Sequence, residues 1–260
     1  MTDSTNTENV QDDFRGLTAL VTGASGGIGA ATAIAMASRG ASVILHYNSN
    51  VAGAAAVKDR ISNHGVGCEL IQADLSTEEG AQSLSTATRQ RKIDILINNA
   101  GSLIKRARTA DMTLELWNQV MMLNLTSAMF LAQSVLPGMV KQGHGSIVNL
   151  SSVAAKNGGG IGAIAYSSAK AAVSTMTKGL SKEFAPLGIR VNAISPGTID
   201  TDYHRTFSTT EMLDTVRAAT PAGRLGTSEE VADAILFLCS DAARFIHGQI
   251  IEVNGGFLMA

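Results

Sequence analysis

The chain has 260 residues, of which 45% are hydrophobic and 16% are charged, with a formal net charge of −2. This composition excludes a disordered or collagen-like chain, and the near-zero charge argues against nucleic acid as a partner. The two cysteines, Cys68 and Cys239, lack partners at metal-ligand spacing, so we expect reduced thiols in a cytoplasmic protein and no metal site.

The chain begins with a polar, acidic segment, MTDSTNTENVQDD, which contains no apolar stretch typical of a signal peptide. We expect residues 1–14 to form a flexible N-terminal tail. No apolar run approaches the roughly 18 residues that span a bilayer, so we expect no membrane partner. The length and the lack of a low-complexity linker predict a single domain over residues 15–260.

From Leu17 onwards, short apolar runs alternate with longer segments of helical pattern. The short runs predict about seven strands, because strands buried on both faces are apolar throughout. In chain order they are TALVT, VILHY (43–47), CELIQAD, IDILINN (93–99), SIVNLSS (146–152), IRVNAISP (189–196) and QIIEVNGG.

Helices are predicted between these strands. The first runs from Ile28 to about Arg39, and the second follows the second strand in Ala-rich sequence up to about Asn63. The others lie over roughly 113–141, from Tyr166 to about Phe184 and over about 229–239. The segment 203–222 shows no clear period. Alternation of strands and helices is typical of an α/β fold. We therefore expect a Rossmann-type, doubly wound parallel sheet with helices on both faces.

The turn after the first strand is rich in glycine and reads TGASGGIG over residues 22–29. Gly23 permits a tight turn, Gly27 lets the backbone approach a pyrophosphate, and Gly29 allows close packing of helix and strand. The following helix presents unpaired N–H groups to the phosphates. A glycine pattern alone is weak evidence, but its place between a strand and a helix predicts a dinucleotide-binding loop, with Ser25 and Ile28 as further members.

This loop resembles the TGxxxGxG loop of the short-chain dehydrogenase/reductase family. Further motifs of that family follow in order: NNAG at 98–101, Asn124 in a helix, YxxxK at 166–170, Ser195-Pro196-Gly197 and Asn254-Gly255-Gly256. The match covers nearly everything from residue 15 to the C-terminus. The resemblance implies an NAD(P)-dependent oxidoreductase that interconverts a carbonyl and an alcohol by hydride transfer.

Tyr166 and Lys170 lie four residues apart on a predicted helix, so their side chains share one face. A free tyrosine has a pKa of about 10, and a nearby ammonium favours the tyrosinate and lowers that value. We therefore expect Tyr166 to transfer the proton. By resemblance, Lys170 also bonds the nicotinamide ribose.

Ser152 is expected at the carboxyl edge of the sheet, where its hydroxyl would stabilise the developing oxyanion. The adjacent Ser151 is the competing candidate. The resemblance favours Ser152, because the family's catalytic serine precedes a small or apolar residue, here Val153. By resemblance, Asn124 holds a water in a proton relay that ends at Lys170, with a structural hydrogen bond as the alternative role.

The end of the second strand bears on the choice of cofactor. An acid about 20 residues past the glycine loop usually binds the ribose of NAD, but no acid occurs between Ala41 and Lys58. We therefore favour NADP(H), with NAD(H) as the alternative, although Gly26 stands where many NADP-preferring members carry Arg or Lys. Neutral groups at Tyr47, Asn48 and Ser49 would hold either cofactor. By resemblance, further cofactor contacts are Asp74 (a strand-end turn being its alternative role), Leu75, Asn99, Ala100, Gly101, Pro196, Gly197, Ile199 and Thr201.

Two segments beside the predicted cleft bear on the substrate. Lys105, Arg106 and Arg108 would meet an anionic substrate or an acidic carrier protein, unless they are solvated surface charges. The glycine-rich run 157–163 would form an open, polar wall of backbone that suits a polar substrate. The stretch GGGIGAIAY, with Thr201, His204, Thr206 and Phe207, resembles reductases of sugar-derived keto acids and uronates.

We therefore expect a small-molecule substrate of that kind, contacted by Ser152, Gly159, Tyr166 and His204. A 3-oxoacyl thioester (acyl-carrier-protein) reductase is the alternative, and a catalytically silent cofactor-binding regulator is the alternative of another class, because a fold alone does not decide function. The resemblance also implies a homotetramer built on the long helices. Small and apolar residues recur on the Tyr166 helix and are candidates for that interface: Ala169, Ala172, Val173 and Met176.

Overall fold

The computed structural model describes residues 14–259, except for the side chains of residues 203–205. Of the predicted tail, residues 1–13 lie outside the described part, and the assignment of Phe14 to the tail is wrong. The Phe14 side chain is 1% exposed, and its N–H donates to the Arg39 carbonyl at 3.1 Å. Phe14 is therefore part of the hydrophobic core.

The sheet has the expected parallel architecture. Its strands are β1 (Thr18–Val21), β2 (Ser42–Tyr47), β3 (Cys68–Gln72), β4 (Ile95–Asn98), β5 (Gly145–Leu150), β6 (Ile189–Pro196) and β7 (Ile250–Val253). All pairings are parallel, in the order β3-β2-β1-β4-β5-β6-β7. The predicted Rossmann-type sheet is confirmed. The fifth strand ends at Leu150 rather than at 152, so Ser151 and Ser152 lie in the loop beyond it.

The helices fill the connections between the strands. They are α1 (Gly27–Ser38), α2 (Val51–Ser62), α3 (Glu78–Arg89), α4 (Leu114–Met121), α5 (Ser127–Gln142), α6 (Ala154–Asn157), α7 (Ile164–Phe184), α8 (Asp202–Phe207), α9 (Thr210–Ala219) and α10 (Ser228–Cys239). A π-helical turn, Met122–Thr126, joins α4 to α5. The predicted helix over 113–141 is therefore interrupted at its middle.

Four helices are not among the helical segments predicted above: α3, α6, α8 and α9. In α3, the apolar residues that face the core are only Ala81 and Leu84, within the polar sequence EEGAQSLSTATR. Its N-terminus is fixed by Thr77, whose hydroxyl accepts from the Gly80 N–H at 3.1 Å. The segment 203–222, which shows no period, contains most of α8 and all of α9. In the described part of α9 no residue is buried, which explains the missing apolar pattern.

The core lies on both faces of the sheet. Successive residues of β1 point to opposite faces, so Ala19 and Val21 pack with α1 and α10, while Leu20 packs with α3 and α5. The helices cover the faces of the sheet and leave the loops at its carboxyl edge accessible. Functional groups are therefore expected in those loops.

The helical stretch Leu114–Gln142 is long and apolar enough to cross a membrane by length and composition, with a mean hydropathy of 1.4. Half of that apolar window is buried inside the protein. Its residues Leu131, Val135 and Met139 pack in the core against the sheet, as expected of a core helix.

Candidate active site

The candidate site lies where β1, β4, β5 and β6 end side by side. The glycine turn follows β1, the NNAG motif begins in β4, Ser152 follows β5, and the segment 197–201 follows β6. Strand order reverses between β1 and β4, and open α/β sheets bind ligands at such a switch point.

The β1–α1 turn is packed closely around its glycines. A Cβ at Gly29 would lie 2.4 Å from the Gly23 carbonyl oxygen and 2.5 Å from Asn99 Nδ2. Gly27 has a φ of 54°, a left-handed conformation that residues with a side chain rarely adopt. Gly26, by contrast, has open space around it. The turn and the N-terminus of α1 thus form a backbone-lined cradle that fits the phosphates of a dinucleotide.

The NNAG motif holds this turn in place. Asn99 Nδ2 donates to the carbonyl oxygens of Thr22 and Gly23 at 2.8 and 3.1 Å. The Thr22 hydroxyl accepts from the N–H groups of Asn99 and Ala100 at 2.9 and 3.0 Å. The Asn99 amide therefore shapes the cradle from behind, and Thr22 is a residue that the sequence analysis did not single out.

The loop after β6 reaches the glycine turn from the other side. A Cβ at Gly27 would lie 3.4 Å from Thr201 Cγ2, and the Thr201 hydroxyl donates to the Ile199 carbonyl at 3.3 Å. The Pro196 and Ile199 side chains are buried. A Cβ at Gly197 would lie 2.9 Å from the Asn254 Cα, so this glycine permits close packing on the segment after β7.

The predicted ribose contacts stand at the end of β2, where Tyr47 is partly exposed and Asn48 and Ser49 are exposed. Beside them, one carboxylate oxygen of Asp74 accepts from the Ser76 N–H and hydroxyl at 2.9 and 2.7 Å. The alternative role given to Asp74, a strand-end turn, is therefore present. The Leu75 side chain is 1% exposed and belongs to the core, so only its backbone can face a cofactor.

Tyr166 and Lys170 lie on the first turns of α7 and face each other. Lys170 Nζ lies 5.6 Å from the centre of the Tyr166 ring. Lys170 is 3% exposed, and its ammonium donates to the Leu150 carbonyl at 2.7 Å. Burial lowers the pKa of Lys170 to about 8. The pair thus combines a buried cation with a partly exposed phenol, which suits proton transfer at a cleft.

Asn124 lies in the π-helical turn rather than in regular α-helix. Its Oδ1 accepts from the Ser102 N–H at 3.1 Å, and its Nδ2 donates to the Ser102 and Val120 carbonyls at 2.8 and 2.9 Å. These are the structural hydrogen bonds named as its alternative role. A Cβ at Gly101 would lie 2.6 Å from Asn124 Oδ1 and 3.0 Å from Lys170 Nζ, so Asn124 and Lys170 converge on one glycine.

The two candidate serines after β5 have different surroundings. The Ser151 hydroxyl is buried and bonds the Lys170 carbonyl at 3.1 Å and the Ser174 hydroxyl at 2.7 Å. Ser152 is partly exposed, and its hydroxyl accepts from the Ala154 N–H at 3.1 Å. Ser151 therefore anchors the β5 end to α7, and Ser152 is the serine placed to meet a ligand.

The basic cluster after NNAG divides into two kinds of residue. Lys105 and Arg108 are exposed. Arg106 is not a solvated surface charge, because its guanidinium donates to the Phe207 carbonyl at 3.0 Å and to the Ile161 carbonyl at 2.9 Å. It joins this loop to α8 and to the glycine-rich segment. Ile104 in the same loop has a φ of 58°, a strained conformation for a β-branched residue.

The glycine-rich segment is exposed and is tied to α7. Gly159 has a φ of 71°, and a Cβ there would lie 2.7 Å from the Ser167 hydroxyl. That hydroxyl also donates to the Ala163 carbonyl at 3.0 Å. His204 belongs to α8, but its side chain lies outside the described residues. Its predicted contact with a substrate therefore stays a prediction.

The sequence-based predictions gave no individual role to three buried polar residues near the site, which are Asn98, Asn149 and His46. Asn98 Nδ2 donates to Asn149 Oδ1 at 2.9 Å across the β4–β5 pair, and Asn149 Nδ2 donates to the Thr177 hydroxyl on α7 at 2.9 Å. His46, at the end of β2, is 2% exposed. A polar residue inside an otherwise apolar strand is the sequence signal that could have identified such groups. Buried polar groups need hydrogen-bond partners, so a residue of this kind indicates a specific contact.

Comparison with known proteins gives concordant results. A family model described as enoyl-(acyl carrier protein) reductase matches residues 23–258. The chain is 40% identical over 251 residues to the 3-oxoacyl-[acyl-carrier-protein] reductase of Escherichia coli, and the match covers 95% of this chain and 99% of the relative.

Solved structures are similar over almost the whole chain. One, assigned as an NAD(P)-dependent gluconate 5-dehydrogenase from Beutenbergia cavernae with bound NADP, has a TM-score of 0.90 at 36% identity, covering 96% of this chain and 99% of that one. Another is a 3-oxoacyl-[acyl-carrier protein] reductase from Brucella melitensis with bound NAD. Its TM-score is 0.86 at 34% identity, covering 96% and 94% of the two chains.

Proposed function

The chain belongs to the short-chain dehydrogenase/reductase family and is an NAD(P)-dependent oxidoreductase, and we propose that it reduces a small polar carbonyl compound such as a sugar-derived keto acid or uronate. The observation that carries this substrate class is the exposed, glycine-rich stretch at 158–161, which Arg106 ties to the rest of the cleft. Exposed peptide groups pair with hydroxyls and carboxylates better than with an acyl chain.

The proposed chemistry divides between cofactor and protein. When bound, the nicotinamide supplies or accepts the hydride. Tyr166 donates the proton to the carbonyl oxygen in reduction and accepts it in oxidation, while the Ser152 hydroxyl donates to the same oxygen as negative charge develops. Lys170 favours the tyrosinate by its charge. Asn124 Oδ1 and Lys170 Nζ both lie close to Gly101, which supports the proposed relay in which Asn124 holds a water that leads to Lys170.

The glycine cradle would hold the phosphates, Thr201 closes it, and the end of β2 would hold the adenosine ribose. We propose a preference for NADP(H) over NAD(H), because Tyr47, Asn48 and Ser49 place no carboxylate where a 2′-phosphate would lie. The Leu75, Pro196 and Ile199 contacts are backbone contacts in this proposal, since their side chains are buried.

The cofactor preference can be inverted by one substitution. Asn48→Asp is expected to lower kcat/KM for NADPH by roughly tenfold or more and to improve the ratio in favour of NADH, because a carboxylate repels the 2′-phosphate and accepts from the ribose hydroxyls. Steady-state kinetics with both cofactors measure this. Asn48→Ala is the control, which removes the amide without adding charge. A wild type that prefers NADH would contradict the proposal.

A panel of carbonyl compounds tests the substrate class. With NADPH, we expect faster loss of cofactor absorbance with a keto-sugar acid or a uronate than with a 3-oxoacyl thioester. Better turnover of the thioester would favour the alternative function, a 3-oxoacyl-[acyl-carrier-protein] reductase. The 40% identity to the Escherichia coli enzyme supports that alternative. No turnover of any carbonyl, with cofactor still bound, would favour the silent regulator.

Replacing His204 tests whether this residue makes a specific contact with the substrate. α8 follows β6 at the carboxyl edge, a place where segments close over substrates. His204→Ala is expected to raise KM for a keto-sugar acid by roughly tenfold, the effect of one lost hydrogen bond to a charged group, and to leave KM for a featureless aldehyde unchanged. Equal effects on both substrates would mean that His204 only supports the fold of α8.

We also propose a cytoplasmic homotetramer with a small-molecule substrate and neither nucleic acid nor membrane as a partner. Ala169 and Val173 are buried within one chain, so any interface on α7 must use its other residues, such as the partly exposed Ala172 and Met176. Light scattering at micromolar concentration should give four times the chain mass. A monomer would contradict the assembly and leave the chemistry unaffected.

A further inference from the structure

His46 is a buried residue that the proposed mechanism does not use, yet it contacts the glycine turn directly. Its Nδ1 accepts a hydrogen bond from the Gly23 N–H at 3.1 Å, and its Nε2 lies 3.0 Å from the Ala73 carbonyl oxygen. Its own carbonyl accepts from the Ala24 N–H at 2.9 Å. His46 therefore connects Gly23 and Ala24, in the β1–α1 turn, to Ala73 at the end of β3.

These contacts are satisfied by one form of the imidazole. The Gly23 N–H can only donate and the Ala73 carbonyl can only accept, so the ring must be neutral, with its hydrogen on Nε2. Protonation would place a second N–H on Nδ1, facing the Gly23 N–H. Two donors cannot bond each other, so either the ring or the turn must move.

The turn has little freedom to adapt to such a change. Gly23 has a φ of 63°, and a Cβ there would lie 3.0 Å from the Ala100 Cα. Its carbonyl oxygen accepts from Asn99 Nδ2 and lies against Gly29. A shift of the Gly23 peptide would therefore disturb the contacts that shape the phosphate cradle.

The charges around the ring agree with the neutral form. Burial is the larger influence and lowers the pKa of His46 below its ordinary value of 6.5, while the Asp74 carboxylate acts in the opposite direction. Among the described residues that bond the ring, Gly23 from the β1–α1 turn and Ala73 from the end of β3 carry no charge. Asp74 is also one of the cofactor contacts that the family resemblance implies.

We propose that His46 is a positioning residue of the dinucleotide site: as a neutral acceptor it holds the Gly23 peptide in its phosphate-binding conformation, and on protonation it releases that peptide, so that cofactor affinity falls in acid. This inference rests on the proposed placement of the cofactor at the β1–α1 turn.

Two substitutions separate the two hydrogen bonds of the ring. An Asn side chain can place its amide oxygen near the position of Nδ1, so His46→Asn keeps the acceptor for Gly23 and loses the contact with Ala73. A Gln side chain can reach the position of Nε2, so His46→Gln keeps the contact with Ala73 and leaves Gly23 without its acceptor. Neither amide titrates in this pH range.

The dissociation constant for NADPH, measured by nucleotide fluorescence without substrate, is the first readout. In the wild type it should rise by up to severalfold more than in His46→Asn between about pH 7.5 and about pH 5, because a ring whose pKa lies below 6.5 is only partly protonated over this range. Both proteins share the titration of the 2′-phosphate, so the difference belongs to His46. At neutral pH, His46→Gln should bind NADPH roughly tenfold more weakly than His46→Asn. Equal affinities of these two variants would overturn the proposal.

The second readout needs neither cofactor nor variant. In the wild-type protein, nitrogen NMR of the ring should show a protonated Nε2 and an unprotonated Nδ1, and the Gly23 amide signal should titrate together with the ring. An Nδ1-protonated neutral ring, or a Gly23 amide that does not follow the ring, would refute the coupling. Gly29→Ala tests the premise separately, because unchanged NADPH affinity in that variant would show that the cofactor binds elsewhere.

Discussion

Tyr166→Phe is expected to lower turnover by roughly 10²–10⁴-fold, the usual contribution of one general acid or base. The substitution removes only the phenolic oxygen, so the ring and its contact with the Lys170 ammonium remain. Because the lost group acts on the reacting oxygen, the loss should appear in kcat, while the dissociation constant for NADPH stays within about twofold of the wild type. Single-turnover rates and nucleotide fluorescence measure the two quantities.

Tyr47→Phe is the matched control, since it removes the same atom at the other end of the proposed cofactor site. We expect it to change KM for the cofactor and to leave kcat nearly constant. Near-full turnover in Tyr166→Phe would refute the proton-transfer role. Comparable losses of kcat in both variants would show that the phenols act through the general shape of the cleft.

The sheet could be predicted because its central strands are short, nearly continuous apolar runs. Val43, Leu45, Ile95 and Ile97 are all at most 1% exposed, and burial on both faces of a strand leaves that pattern in the sequence. The helix α3 could not be predicted from an apolar pattern. It buries few apolar side chains, and the interactions that start it are hydrogen bonds at Thr77, which leave no apolar period.

For the site, the sequence predicts which residues stand in the motifs but not what each side chain contacts. Asn99 is expected to touch the cofactor, but no sequence pattern indicates that its amide bonds the Thr22 and Gly23 carbonyls. Arg106 is grouped with Lys105 as a charge that would meet an anionic substrate or carrier, or stay solvated, whereas it bonds two backbone carbonyls from distant segments. Such pairings join residues far apart in the chain, so no local pattern encodes them. They follow only from the way the loops meet at the sheet edge.

Gly29→Ala is expected to weaken NADPH binding by roughly tenfold to a hundredfold, the equivalent of the 1–3 kcal/mol that an extra methyl costs in a well-packed place. The new Cβ would lie 2.4 Å from the Gly23 carbonyl oxygen and 3.0 Å from the Ala24 Cα. These are backbone atoms, which cannot rotate away as the end of a long side chain can. Isothermal titration with NADPH measures the loss, and thermal unfolding shows whether the fold also loses stability.

Gly26→Ala makes the same chemical change three residues earlier in the same loop. Gly26 has an extended backbone with φ of −174°, and a Cβ there meets no atom within 4 Å. We expect its NADPH affinity and unfolding temperature to stay close to those of the wild type. If Gly26→Ala and Gly29→Ala weakened binding equally, the cause would be a general stiffening of the loop. A selective loss in Gly29→Ala means that cofactor binding depends on the contact of α1 with Gly23, the residue whose N–H donates to His46.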